Sequence, residues 1–234
     1  LLSKLGDCLK DSPDFCHSNA LDLERITSLW DEAGRSEQCI ILAPRRSGKY
    51  GVDSVNAYIQ NFIGNDRPVL LYLDDSHGLI PWRINGRHLY LGDQVLVTKN
   101  DYRYNIWNGD LATITEVYSQ PMESGEYGVM KLEGKSIPIN DEVIEKLDLG
   151  FCITIHKSQG SEWPVAVMLL SPEGENMTDR SLLYTGATRA QERLVILGRE
   201  ASITRAIERG NFSDIRKVAI RELLPKPRPT AIAC

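Results

Sequence analysis

Apolar positions Leu21, Ile26, Leu29, Trp30 and Ala33 recur at helical spacing and stop at Gly34, which predicts a helix with a glycine end. Residues 39–43, Cys-Ile-Ile-Leu-Ala, then run without a polar break up to Pro44. An uninterrupted apolar run of that length predicts a strand covered on both faces. After a polar loop over 44–51, Val52, Val55, Tyr58, Ile59, Phe62 and Ile63 lie on one face of a helix that starts at or near Asp53. Helix, strand, loop, helix is the order of a parallel α/β sheet.

Between about residues 68 and 148 the pattern changes to short alternating segments, 94–98, 112–118, 128–132 and 136–139, broken by Gly, Pro and Asn. Asn108-Gly109-Asp110 reads as a hairpin-type turn between two of them. This stretch predicts a small antiparallel barrel or sheet. From Phe151 the first pattern resumes: strands over 151–155 and 165–170, a helix over about 179–188, a strand over 193–197 and a helix over 201–209. A β module is therefore inserted into an α/β domain. Residues 223–234, with Pro225, Pro227 and Pro229, read as an extended tail.

Composition narrows the class without naming a chemistry. The 234 residues are 42% hydrophobic and 25% charged, with a net charge of -5, which excludes disordered, collagen-like and low-complexity chains. No apolar run approaches a membrane span, and the first residues lack a signal peptide's basic flank and apolar heart, so a cytoplasmic protein is expected. A start at Leu1 suggests a chain cut from something longer. The five cysteines, Cys8, Cys16, Cys39, Cys152 and Cys234, are odd in number and form no disulfide framework or zinc spacing, so buried thiols and no metal site are expected. The acidic balance leans against a nucleic-acid partner. Residues 199–234 run the other way, with eight Lys or Arg against four acids.

Three polar constellations follow strands or precede them. The loop Ala43-Pro-Arg-Arg-Ser-Gly-Lys-Tyr50 tempts comparison with G-x-x-x-x-G-K-[ST], but Ala43 stands where a glycine is needed and Tyr50 where a metal-binding hydroxyl is needed. It is not a P-loop. What remains is a strand end delivering Arg45, Arg46 and Lys49, where open α/β sheets bind ligands; a solvated basic loop is the bland alternative. Thr154-Ile-His156-Lys-Ser158-Gln159-Gly160-Ser-Glu162-Trp-Pro concentrates more hydrogen-bonding chemistry than a turn requires. In Leu182-Leu-Tyr-Thr-Gly-Ala-Thr188-Arg189-Ala190 an apolar helix ends in an arginine, which on a core-facing side would need an anionic partner.

The last of these, in YTGATRAQERLVILG, resembles motif VI of superfamily 1 helicases. TIHKSQGSEWPVAVMLL resembles motif V, and ILAPRRSGKYGVDSVN resembles motif IV of the RecD-type, exonuclease V alpha subunit-like branch. GDQVLVTKND at 92–101 with WNGD at 107–110 is similar to that branch's inserted barrel.

The resemblance implies a RecA-like domain, the second of two in a helicase, over 1–87 and 149–224. It also implies an inserted barrel of the Src-homology-3 type over 88–148, and leaves 225–234 as the tail. It implies that Arg189 is an arginine finger, that Arg46 is a second γ-phosphate contact, and that Arg45 lies near the nucleotide, although the family more often has an amide there. Gly160, Glu162 and Gln159 fall at nucleotide-side positions. Thr154, His156 and Ser158 fall at positions facing single-stranded DNA, where neutral donors position a backbone without reading sequence. ATP and Mg²⁺ would be completed by an N-terminal Walker A and B domain of the same protein, and the fragment alone would be inactive as an ATPase. Partners implied are single-stranded DNA, that N-terminal domain and other exonuclease V-type subunits, with movement 5′ to 3′.

In the inserted module, Asn100 and Arg103 are candidate DNA contacts. The neighbouring Tyr102, Tyr104 and Trp107 either stack on bases or pack the barrel. Two other function classes fit less of the chain. A nucleic-acid-binding adaptor on an inactive RecA-like platform would lack an upstream P-loop in its parent, and a doubly wound small-molecule enzyme would need a glycine-rich phosphate loop that this sequence does not contain.

Overall fold

In a computed structural model of the chain, residues 14–34, 38–74, 76 and 78–209 are described. Cys8, Cys234, the expected tail at 225–234 and most of the basic 199–234 stretch lie outside them.

In chain order, β1 (Asp14–Ser18) leads to α1 (Leu23–Glu32). Asp22 caps that helix by accepting from the Arg25 N–H at 2.7 Å. Its apolar face buries Ile26, Leu29 and Trp30, with the Trp30 ring edge-on to Phe151 at 5.5 Å. Next, β2 (Cys39–Ala43) is buried at every position, as the unbroken apolar run requires. It is followed by α2 (Val52–Ile63), which starts at Gly51. A Cβ there would meet the Ser47 carbonyl oxygen at 2.4 Å, so only glycine lets the loop fold back under the helix. Buried Asn56 on α2 donates to the Leu149 and Cys152 carbonyls and accepts from the Cys152 N–H. It thereby pins the point where the chain re-enters the parallel sheet.

The inserted stretch opens with two short antiparallel ribbons, β3 (Leu71–Asp74) with β4 (Gly78–Pro81) and β5 (Arg83–Ile84) with β6 (Arg87–His88). It continues as β7 (Gln94–Val97), β8 (Leu111–Val117), β9 (Gly128–Leu132), β10 (Lys135–Ile139), the one-turn α3 (Asp141–Ile144) and β11 (Leu147–Leu149). Strands β7 to β11 form a five-stranded antiparallel sheet in the order β10-β9-β8-β7-β11. The turn expected at Asn108-Gly109-Asp110 exists, with Gly109 at φ 110° and the Asp110 N–H donating to Trp107 O at 3.0 Å. It closes a long connection over 98–110 with its own Asp101↔Ile106 bridge, rather than joining two strands directly.

After β12 (Cys152–Thr154) come β13 (Trp163–Leu170), α4 (Arg180–Ala187), β14 (Ala190–Gly198) and α5 (Glu200–Glu208). The parallel sheet has the order β1-β14-β13-β2-β12. Alternate residues of β2 enter different clusters. Cys39, Ile41 and Ala43 face α1, α2 and the insertion, while Ile40 and Leu42 face α4 and α5 through Met168, Leu183 and Ile203. The first cluster is shared between the parallel sheet and the insertion, through Val55, Phe151, Val95 and Ile114.

Two charged anchors fix the insertion. Arg67, just beyond α2, pairs with fully buried Asp93 at 2.8 Å, and Gln60 on α2 donates to the same carboxylate at 2.6 Å. Within the insertion, Lys146 Nζ lies 2.5 Å from buried Asp101. This hydrogen bond holds the Asp101 carboxyl below its ordinary value. Its stabilising contribution is therefore present above the unfolded pKa of about 3.9 and is lost as pH falls through the lower folded value. Lys146→Met is expected to flatten the acid limb of a plot of urea midpoint against pH; a limb unchanged in slope would show that the pair contributes nothing there.

Candidate functional site

The parallel sheet has two edges at which its connections carry polar groups. At the C-terminal ends of β2 and β12 lie Arg45, Arg46, Thr154 and His156. At the N-terminal ends of β13 and β14 lie Gly160, Ser161, Glu162 and Arg189. Strand β13 spans both edges, with Trp163 beside Ala190 and Met168 beside Leu42. At about 3.3 Å per residue, the edges are roughly 17 Å apart.

A short crossover joins them. Residues Ile155–Ser158 form a single 3-10 turn, with Ile155 buried and the buried Ser158 hydroxyl donating to Ile155 O at 2.7 Å. That bond turns the Ser158 side chain inward, while His156 and Gln159 are exposed and Thr154 is half-buried. The Gln159 N–H donates to His156 O at 3.4 Å. Gly160 sits at φ 92° with open space around it. The exposed Glu162 carboxylate accepts from Gln191 at 3.4 Å.

Arg189 reaches back across this crossover. Helix α4 approaches closely because Gly186 carries no Cβ; one there would lie 2.5 Å from Met168 Sδ. From the end of α4, Arg189 Nε donates to Thr185 O at 2.9 Å and Nη2 to Thr188 Oγ1 at 2.9 Å. Its Nη1 donates to Ser161 O at 2.7 Å and lies 3.4 Å from Ser158 O. Arg189 is half-buried, and among the described residues carbonyl oxygens and a hydroxyl accept from its donors without neutralising its charge.

Arg46 is held differently. Its Nε lies 3.1 Å from Asp53 in the first turn of α2, and its Nη2 bonds Asp148 on β11, which Asn85 also approaches at 3.3 Å. Asp148 and Asp53 fix the Arg46 charge still more firmly than usual. The structure does not bring Arg46 and Arg189 together, because the sheet puts them at opposite edges and two carboxylates already engage Arg46. Arg45 donates to Glu173 O at 2.9 Å and to Ser47 Oγ at 2.9 Å.

The insertion touches the crossover through the connection over 98–110. Lys157 Nζ bonds Asn108 Oδ1, and the Asn108 N–H donates to Asn100 Oδ1 at 2.8 Å. Arg103 is exposed, with its guanidinium 5.4 Å over the Tyr104 ring and 4.0 Å from Glu142. Between the insertion and the crossover lies a cleft of about 700 Å³ whose lining includes Asp110, Thr113, Lys131, Glu162, Trp163 and Gln191. Asp148 and Asn85 were not among the residues the sequence singled out, and Asn108 was read only as part of a turn. Each is a lone polar residue in an ordinary turn or strand, and its partner lies 49 to 102 residues away.

Among the described residues no group of three or more His, Cys, Asp or Glu could hold a metal ion. Cys39 is pushed up to about 12 by burial and Cys152 is raised further, so both stay neutral thiols, while Cys16 is an exposed free thiol. No helix among the described residues is long and apolar enough to cross a membrane.

Comparison with known proteins joins these features. The UvrD-like helicase C-terminal domain family matches residues 149–197, the segment that holds β12, the crossover, α4 and most of β14. The ATP-dependent RecD2 DNA helicase of Deinococcus radiodurans is 29% identical over 174 residues, 74% of this chain and 22% of that protein. The RecBCD enzyme subunit RecD of Mycolicibacterium smegmatis is 29% identical over 192 residues, 82% of this chain and 30% of its own. The corresponding subunit of Mycobacterium tuberculosis is 32% identical over 147 residues, 62% of this chain and 24% of its own. The chain thus spans between 22% and 30% of the length of these relatives. A double mutant of the Pif1 helicase from Bacteroides shares the fold, with a TM-score of 0.50 over 94% of this chain and 50% of that one at 18% identity. The match over 149–197 and these relatives together identify a UvrD-like helicase C-terminal domain in a chain homologous to the RecD-type helicases.

Proposed function

We propose that this chain supplies the second RecA-like domain of an ATP-dependent DNA helicase or translocase acting in the cytoplasm. On this reading residues 1–87 and 149–224 form the motor domain, and 88–148 an inserted barrel of the Src-homology-3 type. The observation that carries the proposal is Arg189, a charged guanidinium whose acceptors among the described residues are neutral groups, Thr185 O and Thr188 Oγ1 at the end of α4 and Ser158 O and Ser161 O on the crossover. A planar cation so held can exchange carbonyls for phosphoryl oxygens without breaking an ion pair.

ATP would then lie between this domain and an N-terminal domain with Walker A and B elements, with Gly160, Glu162 and Gln159 near the nucleotide. As Arg189 turns toward a γ-phosphate it lets go of Ser161 O and Ser158 O. The crossover is thereby freed to shift at its other end, where Thr154 and His156, oriented by the Ser158 bond, meet the backbone of single-stranded DNA. Asn100 and Arg103 would extend that track onto the insertion. Arg45 and Arg46 flank the same edge, and Arg46 reaches phosphate only by exchanging Asp148. Other exonuclease V-type subunits are the partners the relatives suggest.

The test is simple. Holding half of a site, the purified chain is expected to hydrolyse ATP no faster than a buffer blank with saturating single-stranded DNA. Substantial DNA-stimulated hydrolysis by this chain would overturn the half-site proposal.

A further inference from the structure

The aromatic residues of the 98–110 connection divide into two groups. Ile106 is fully buried, and Tyr104 packs against the core, its hydroxyl accepting from Asn140 Nδ2 at 3.0 Å. Tyr102 and Trp107 point the other way, 74% and 45% exposed, with their rings edge-to-face at 5.5 Å and an interplanar angle of 79°. The connection that presents them is not loose. The Asp101↔Ile106 bridge, the Lys146 pair on Asp101, and the bond from the Trp107 N–H to the Asp110 carboxylate at 2.7 Å fix it at both ends and in the middle. Two large rings held rigidly in water forgo the burial that drives such side chains inward.

The chemistry around the pair selects its occupant. Asn108, adjacent to Trp107, bonds Lys157 Nζ, which follows His156 on the crossover. The platform is therefore tied to the proposed strand grip. The neighbouring acids are engaged, Asp101 by Lys146 and Asp110 by the Trp107 N–H; Lys99 is an exposed cation, and Arg103 is exposed while pairing with Glu142 across the solvent at 4.0 Å. Exposed rings beside exposed cations fit a polyanion with flat apolar groups. A protein-docking patch would instead be broad and apolar.

We infer that Tyr102 and Trp107 form a stacking platform for a base of single-stranded DNA, continuous with the grip at Thr154 and His156. The inference rests on the proposed function. Every base has a π-face, so the platform holds the strand without selecting sequence, as a translocating motor requires.

The experiment is fluorescence anisotropy of an oligothymidylate of about 15 nucleotides, run beside the same oligomer with abasic sites in place of its bases. Tyr102→Ala and Trp107→Ala are each expected to weaken binding of the intact oligomer by about 5- to 150-fold and to leave the abasic one nearly unchanged. Tyr102→Phe and Trp107→Phe keep a ring and are expected to bind like the unaltered chain. Both side chains protrude into solvent, and circular dichroism checks that the variants fold. Unchanged binding by the alanine variants, with His156→Ala still weakening it, would overturn the platform and leave the DNA reading intact. So would an equal loss on both oligomers. If the unaltered chain binds neither oligomer, the DNA reading falls and the platform with it.

Discussion

Replacing Arg189 by alanine in the full-length protein is expected to lower DNA-stimulated ATP turnover by about 10³–10⁵-fold, the range an arginine finger supplies in nucleotidases. ATP affinity is expected to change little, because a group that braces charge developing on the phosphoryl oxygens acts mainly in the transition state. Arg189→Lys is expected to recover little. An ammonium keeps the charge, but it cannot span Thr185 O, Ser161 O and Thr188 Oγ1 with one planar fork. Steady-state hydrolysis and equilibrium binding of a fluorescent ATP analogue separate the possibilities. Turnover near the unaltered rate would remove Arg189 from the reaction. A loss of binding as large as the loss of turnover would reassign it to holding the crossover in shape.

The second large effect is on stability. Asp93→Ala is expected to destabilise the fold by about 3–5 kcal/mol, the cost of leaving one member of a buried ion pair without its partner. Asp93 is wholly buried, and burial raises its carboxyl despite the opposing pull of Arg67. Its loss would strand the Arg67 guanidinium between the Gly64 and Leu91 carbonyls and the Tyr90 ring, and would remove an acceptor from Gln60 and from the Tyr90 N–H. These contacts join α2 to the start of the antiparallel sheet. The insertion would therefore lose its anchor together with the stability. Urea unfolding of the chain measures this as a lowered midpoint. The double change Asp93→Leu with Arg67→Met is expected to recover much of the loss, since an apolar pair avoids burying charge at all. A midpoint shift worth less than about 1 kcal/mol for Asp93→Ala would mean that water reaches the pair.

Several elements were legible from the chain alone. The apolar run of β2, the amphipathic faces of α1 and α2, and the helix α4 lie where the sequence pattern put them. Strand β1, the ribbons β3 to β6 and β11 were not among the segments that the sequence pattern marked. The candidate site divides in the same way. Its crossover and the Thr188-Arg189 pair are contiguous in sequence, so their crowding of polar groups can be seen without a structure. The partners cannot. Asp148 lies 102 residues from Arg46, and Asn108 lies 49 from Lys157.

Sequence by itself determined the α/β grammar with its inserted β stretch, the family, and which residues carry polar chemistry, because burial on one face and exposure on the other is a local demand that each segment meets alone. Only the tertiary structure decided which charges are engaged. Arg189 faces carbonyls, Arg46 faces two carboxylates, and Tyr102 and Trp107 face water while Tyr104 faces the core. Those outcomes depend on strand order and register across the whole chain, which bring distant segments to one edge of the sheet and carry neighbouring motifs to opposite edges.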